Sequence, residues 1–148
     1  GSAAGLDGSI AKAAESDENW FGYYWNPTSI IGKYNMQPMD FGVPFAGAEN
    51  WDNCISKGPQ ICINPKVSAW TESIVKTIVT PDVREMSKVM KYFSKRTFPG
   101  EVMNNMLVYM EDNQAQGIDG AIIFLERYSE LWINWLPKEI AQKVKKAL

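Results

Sequence analysis

The segment Trp20-Phe21-Gly22-Tyr23-Tyr24-Trp25 crowds large aromatic rings around one glycine and closes on Asn26-Pro27. At the pace of a strand, successive side chains point to opposite faces. Trp20 and Tyr24 then share one face, and Phe21, Tyr23 and Trp25 the other. No ordinary surface strand carries so much aromatic area, so this segment must be either packed or used. Its Trp and Tyr faces are electron-rich and suit a positively charged organic ligand.

The 148-residue chain is long enough for one domain with a real core, and the expectation is a single domain over 1–148. Hydrophobic residues make up 45% and charged residues 22%, the balance of a globular protein. The net charge of -2 and the lack of a basic run before the C-terminal lysines disfavour nucleic-acid binding. No apolar stretch approaches the roughly 20 residues that span a bilayer. The chain opens Gly1-Ser2 without Met, which reads as a processed or trimmed product.

Periodicity organises the rest. Residues 2–16 read as a helix with Leu6, Ile10, Ala13 and Ala14 on one face. Strands are expected at 20–25, 39–45 and 75–80, with a helical turn near Ile30, Ile31 and Tyr34 and a long polar loop over 46–68. Thr80-Pro81-Asp82 is a helix start. Apolar stripes through Met86–Phe93, Val102–Met110, Ile122–Trp135 and Ile140–Leu148 follow. Early strands and late helices predict an α/β fold with a helical C-terminal tail.

Chemistry is narrowed by what the chain contains. It has no histidine and no Gly-x-Ser-x-Gly elbow, so a nucleophile–base pair lacks its usual parts and no enzymatic activity is expected. Glu111-Asp112 and Asp17-Glu18 read as solvated helix faces. Cys54 and Cys62 cannot complete a zinc site alone, and neither a metal nor a cofactor is expected. Their spacing favours a local disulfide, which implies an oxidising compartment; two free buried thiols are the alternative. The methionines and Trp132 with Trp135 read as core, and Trp51 and Trp70, which flank the cysteine loop, as rim or lid residues. Trp25 lies at the carboxyl end of its expected strand, where open α/β sheets bind ligands.

The run Gly22-Tyr23-Tyr24-Trp25-Asn26-Pro27-Thr28, followed by Gly32-Lys33-Tyr34, resembles the substrate-binding proteins of glycine betaine/proline-type ABC transporters, the OpuAC-like family. The likeness continues through Phe41-Gly42-Val43-Pro44-Phe45, Trp51-Asp52-Asn53-Cys54, Phe98-Pro99-Gly100 and the Trp-x-x-Trp-Leu tail at 132–136. It implies one lobe, plus closing helices, of a type II periplasmic-binding-protein fold, since the family receptor is two-lobed and about twice this length. It also implies a non-enzymatic, periplasmic or extracytoplasmic importer component for glycine betaine, proline betaine or choline-like solutes in osmoprotection. Such solutes sit in an aromatic box, and a permease subunit is the partner.

Trp25 matches the family's aromatic-Trp-x-Pro element and is the box wall carried over; Tyr24 and Asn26 are its candidate neighbours in binding. The family's other walls and its Gly-Trp-Gly carboxylate cradle are not matched here, so weak binding by this chain alone is expected. A homo-oligomer that covers the surface left by the missing half is the further expectation. The alternative is a detached lobe acting as a self-associating or small-cation-binding module.

Overall fold

The computed structural model describes residues 2–71 and 73–148. Its helices, in chain order, are α1 (Ala3–Glu15), α2 (Ser29–Lys33), α3 (Ala48–Asn53), α4 (Pro81–Arg84), α5 (Ser87–Lys95), α6 (Gly100–Asp112), α7 (Gly117–Arg127), α8 (Ser129–Trp132) and α9 (Lys138–Ala147). Short 3-10 turns follow α3 at Ile55–Lys57 and α8 at Ile133–Trp135. These elements fall into two compact units, one of residues up to Gln37 together with Val79–Leu148, the other Pro38–Ile78.

The ends of the helices follow from local chemistry. The Ser2 hydroxyl accepts from the Gly5 N–H at 3.1 Å, satisfying a donor that α1 cannot use internally. At the other end the Glu18 N–H reaches the Ala13 carbonyl at 2.8 Å while Asp17 takes φ 55°. That left-handed residue ends the helix and turns the chain; Asp tolerates it because its short side chain can bond locally. Asn35 and Gln114, with φ 47° and 50°, close α2 and α6 in the same way. The α7 start is held by Asp119, whose carboxylate accepts from the Gln116 N–H at 2.9 Å. Thr80 and Pro81 do open α4, although the Thr80 hydroxyl makes no capping bond there.

The first unit is built on aromatic packing. Trp132 and Trp135 are buried with Ala141. The Trp132 indole donates to the Leu125 carbonyl at 2.7 Å, which satisfies its one polar atom. Trp135 meets Phe98, Phe124 and Tyr92 with ring centroids 5.1, 5.8 and 6.4 Å away. Arg96 lies 5.1 Å from the Phe93 centroid and 5.7 Å from those of Tyr92 and Phe98, so its charge is spread over ring faces. Helix α2 docks on α6 through Gly32, where a Cβ would come within 2.9 Å of Val108 and 3.0 Å of Asn104. Helix α7 docks on α6 at Gly120, where a Cβ would meet the Met110 sulfur at 2.8 Å.

The α/β expectation, with one lobe of a type II binding-protein fold, is corrected here: the described residues contain no strand and no sheet. A strand exists through its partner, because its N–H and C=O groups need a ladder. Segments 20–25, 39–45 and 75–80 have strand-like composition but find no ladder. Residues 20–25 are held by side chains instead. In 39–45 the Pro44 carbonyl accepts from the Ala69 N–H at 3.2 Å, which is not a ladder. In the third segment Val75 and Ile78 stand 96% and 93% exposed. The helical tail, by contrast, is present.

The second unit has little apolar core, and Cys62 is its buried residue. A disulfide joins Cys54 to Cys62 across a sequence separation of 8. Asn50 bridges to Lys66 twice, accepting from its N–H at 3.1 Å and donating to its carbonyl at 3.3 Å. Trp51 sits between Phe45 and Trp70 at 6.3 and 4.9 Å. Helix α3 lies inside the stretch expected to be loop.

With so few apolar contacts, the staple should dominate this unit's order. Reduction, or Cys54→Ser with Cys62→Ser, is expected to destabilise it by about 2–3 kcal/mol. Limited proteolysis should then cut first within residues 38–78 while the near-ultraviolet circular dichroism of the Trp132 and Trp135 core persists. First cuts in α6 or α7 would contradict this assignment.

Candidate functional site

The aromatic segment returns past α1 after the turn at Asp17. Two side-chain donors fasten it. The Trp20 indole donates to the Ser9 hydroxyl at 3.0 Å, and the Tyr24 hydroxyl donates to the Asp7 carboxylate. The Trp20 ring also covers Gly22, where a Cβ would come within 2.7 Å of it, so this position must be glycine. Trp20 and Tyr24 thus face α1, while Phe21, Tyr23 and Trp25 remain 72%, 55% and 46% exposed. The alternation expected of a strand is kept without a strand.

Trp25 stacks on Tyr24 with ring centroids 4.3 Å apart and planes inclined by 7°. One face of its indole is therefore covered by Tyr24. Beyond it the chain is fixed again, on α6. The Asn26 amide lies against Gly100, 3.5 Å from where a Cβ would sit. The Asn26–Pro27 peptide bond is cis. The Thr28 N–H donates to the Asn104 side-chain carbonyl at 2.9 Å, and the Thr28 hydroxyl caps α2 by accepting from Ile31 at 3.4 Å. The structure brings Tyr24 and Trp25 together as one stack and turns Asn26 toward α6. Because the described residues form no sheet, the placement of Trp25 at a strand's carboxyl end no longer holds; the α1 and α6 anchors lie on either side of it.

Asp7 and Ser9 were not among the candidate residues read from the sequence. Their signal is the pair of ring donors four residues apart, Trp20 and Tyr24, following a helix by a short turn. Glu15 extends the pattern, accepting from the Tyr34 hydroxyl at 3.0 Å. The hydrogen bond to Asp7 pushes the Tyr24 hydroxyl up to about 12, with desolvation and the carboxylate charge adding in the same direction. The Tyr34 hydroxyl is raised likewise, first by its bond to Glu15. Lys33 is raised by the charge of Asp112, 3.5 Å away.

Two depressions lie elsewhere. One of about 280 Å³ is lined by Tyr92, Leu125, Trp132, Trp135, Leu136 and Val144, and continues the apolar core. The other, also about 280 Å³, lies in the second unit and is lined by Glu49, Asn50, Asn53 and Lys66 among others. Its Asn50 is engaged with the Lys66 backbone. Among the described residues no cluster of three His, Cys, Asp or Glu side chains could hold a metal ion, and no helix is long and apolar enough to cross a membrane.

The family model described as the substrate-binding domain of ABC-type glycine betaine transport systems matches residues 1–127, and the chain belongs to that family, OpuAC. Members are substrate-binding proteins, not enzymes. The match takes in the Tyr24–Trp25 stack and the Phe98-Pro99-Gly100 motif, whereas the Trp132–Leu136 tail lies outside it. Comparison with curated proteins and with solved structures finds no significant match.

A tyrosine raised by a folded-state carboxylate has a defined pH signature. The unfolded value is near 10, so the stabilisation is complete below pH 10 and is lost as pH rises from about 10 to 12. Ultraviolet titration should show Tyr24 among the last tyrosines to ionise. Asp7→Ala should return it to the ordinary range; an unchanged titration curve would remove Asp7 as the cause.

Proposed function

We propose that this chain binds a quaternary ammonium solute, glycine betaine or a proline betaine or choline-like relative, as the non-enzymatic binding component of an ABC importer. The observation that carries the reading is the Tyr24–Trp25 stack, in which one indole face lies on Tyr24 while the tryptophan stays 46% exposed. A trimethylammonium group is bulky, weakly hydrated and without hydrogen-bond donors. A ring face attracts it through the quadrupole, and desolvation strengthens the attraction. Asn26, which follows the stack in sequence, has its amide against Gly100 of α6 and is a candidate for the solute's polar end only if that side chain turns. Family membership favours the solute class and a permease partner. The disulfide favours an extracytoplasmic setting, because such bonds persist under oxidising conditions.

One ring face supplies about 0.5–2 kcal/mol, far less than the roughly 8 kcal/mol of micromolar binding. The zwitterion is also well solvated in water, which any site must offset. Titration calorimetry on this chain alone should therefore give a millimolar or weaker dissociation constant for glycine betaine. Trp25→Ala should abolish even that. Binding that survives Trp25→Ala would place the site elsewhere, and micromolar affinity would mean that more than this wall contributes.

A second reading, a self-associating module, draws on the near-complete exposure of Val75 and Ile78 in an extended segment. Exposed apolar side chains such as these invite contact with another copy. Sedimentation velocity should then show concentration-dependent dimers that Val75→Lys weakens. A monodisperse monomer at high concentration would count against this reading.

A further inference from the structure

Tyr24 does two things at once: its hydroxyl is tied to α1 and its ring lies flat on Trp25. The ring is stacked on Trp25 at 4.3 Å and 7°, a nearly parallel contact. Its hydroxyl ends on the Asp7 carboxylate, from a half-buried position on α1. An exposed aromatic side chain ordinarily samples more than one rotamer. A ring whose hydroxyl donates to a side chain of a neighbouring helix is held to one of them by that bond. The pinned ring in turn restricts the indole stacked on it.

Resting on the reading of Trp25 as a ligand wall, we infer that Asp7 is a positioning residue for that wall, acting through Tyr24 on the orientation of the Trp25 indole. Asp7 touches no solute in this scheme. It holds Tyr24 so that one indole face is covered and the other is presented, before any ligand arrives. Pre-organisation of this kind strengthens binding by removing the ordering cost that the ligand would otherwise meet. The companion bond from Trp20 to Ser9 fixes the start of the same segment, so the pinning by Asp7 acts on its far end. An amide oxygen in place of the carboxylate can still accept from the Tyr24 hydroxyl. The conservative variant therefore separates positioning from charge.

The test is carried out on the full chain with tetramethylammonium as the probe. Indole N–H resonances are followed by nuclear magnetic resonance, and that of Trp25 is assigned from Trp25→Phe. Asp7→Ala and Tyr24→Phe should each displace the Trp25 resonance without ligand, because the ring current above it changes. Each should weaken tetramethylammonium binding by about threefold to tenfold. Asp7→Asn should restore both, and the double variant should be no worse than either single one. The Trp132 and Trp135 resonances, from the separate core, should stay in place and report an intact fold. Should Asp7→Ala fail to fold, Tyr24→Phe keeps the ring and carries the same test. A Trp25 resonance unmoved by Tyr24→Phe, or not restored by Asp7→Asn, overturns the inference. If the wild-type chain binds no quaternary ammonium, the functional reading falls, while the ligand-free resonances still decide whether Asp7 sets the indole.

Discussion

The aromatic segment has no ladder to hold it, so everything at the candidate site depends on side-chain anchors to α1 and α6. Backbone groups outside regular structure must find water or side chains, and an extended segment with neither partner would sample many conformations. Here two ring donors, Trp20 and Tyr24, end on Ser9 and Asp7, and the Thr28 N–H ends on Asn104. Each neutral bond contributes only about 0.5–1.5 kcal/mol, and one to a charged group about 1.5–3 kcal/mol. None would suffice alone. Together they fix both ends of the segment, and Trp25 is held between them.

That arrangement explains which rings are packed and which are presented. Trp20 is spent on Gly22 and Ser9, and Tyr24 on Asp7. The odd-numbered rings, Phe21, Tyr23 and Trp25, remain largely exposed. The glycine is what allows this, since any side chain at position 22 would lift Trp20 away from the helix. Local geometry therefore gives one aromatic run a face fastened to α1 and a second face with higher exposure. The same alternation in a paired strand would have produced two packed faces.

Much of the helical architecture was legible because helix signals are local. Ser2, Thr28 and Pro81 mark starts, and the stripes of α6 and α7 mark buried faces. Trp132 and Trp135, three residues apart at the end of a stripe, read correctly as core. The strands were not legible for the opposite reason. Composition at 20–25, 39–45 and 75–80 states a preference for extension, but a partner decides whether extension becomes sheet. Helix α3 escaped notice because Ala48–Asn53 carries one large apolar residue, Trp51, and no repeat from which to read a period. At the site, Trp25 and Tyr24 were readable from composition. Asp7 and Ser9 were not, since a polar residue on a helix surface looks the same whether it meets water or a ring donor.

The family motifs divide along the same line. Phe98, of the Phe98-Pro99-Gly100 motif, packs on Trp135 at 5.1 Å, so that motif serves the core. Gly32, of the Gly32-Lys33-Tyr34 motif, allows α2 to approach α6, and Tyr34 returns to α1 through Glu15. Those residues repay their burial or their bonds within the fold. Trp25 does not to the same degree: its stack with Tyr24 covers one face, and the residue stays 46% exposed. A residue that is conformationally fixed yet half-exposed is what a binding surface requires, because fixing it beforehand is useful only if something else later covers it. The proposal that Trp25 serves a ligand rests on that combination of a fixed ring and an exposed one.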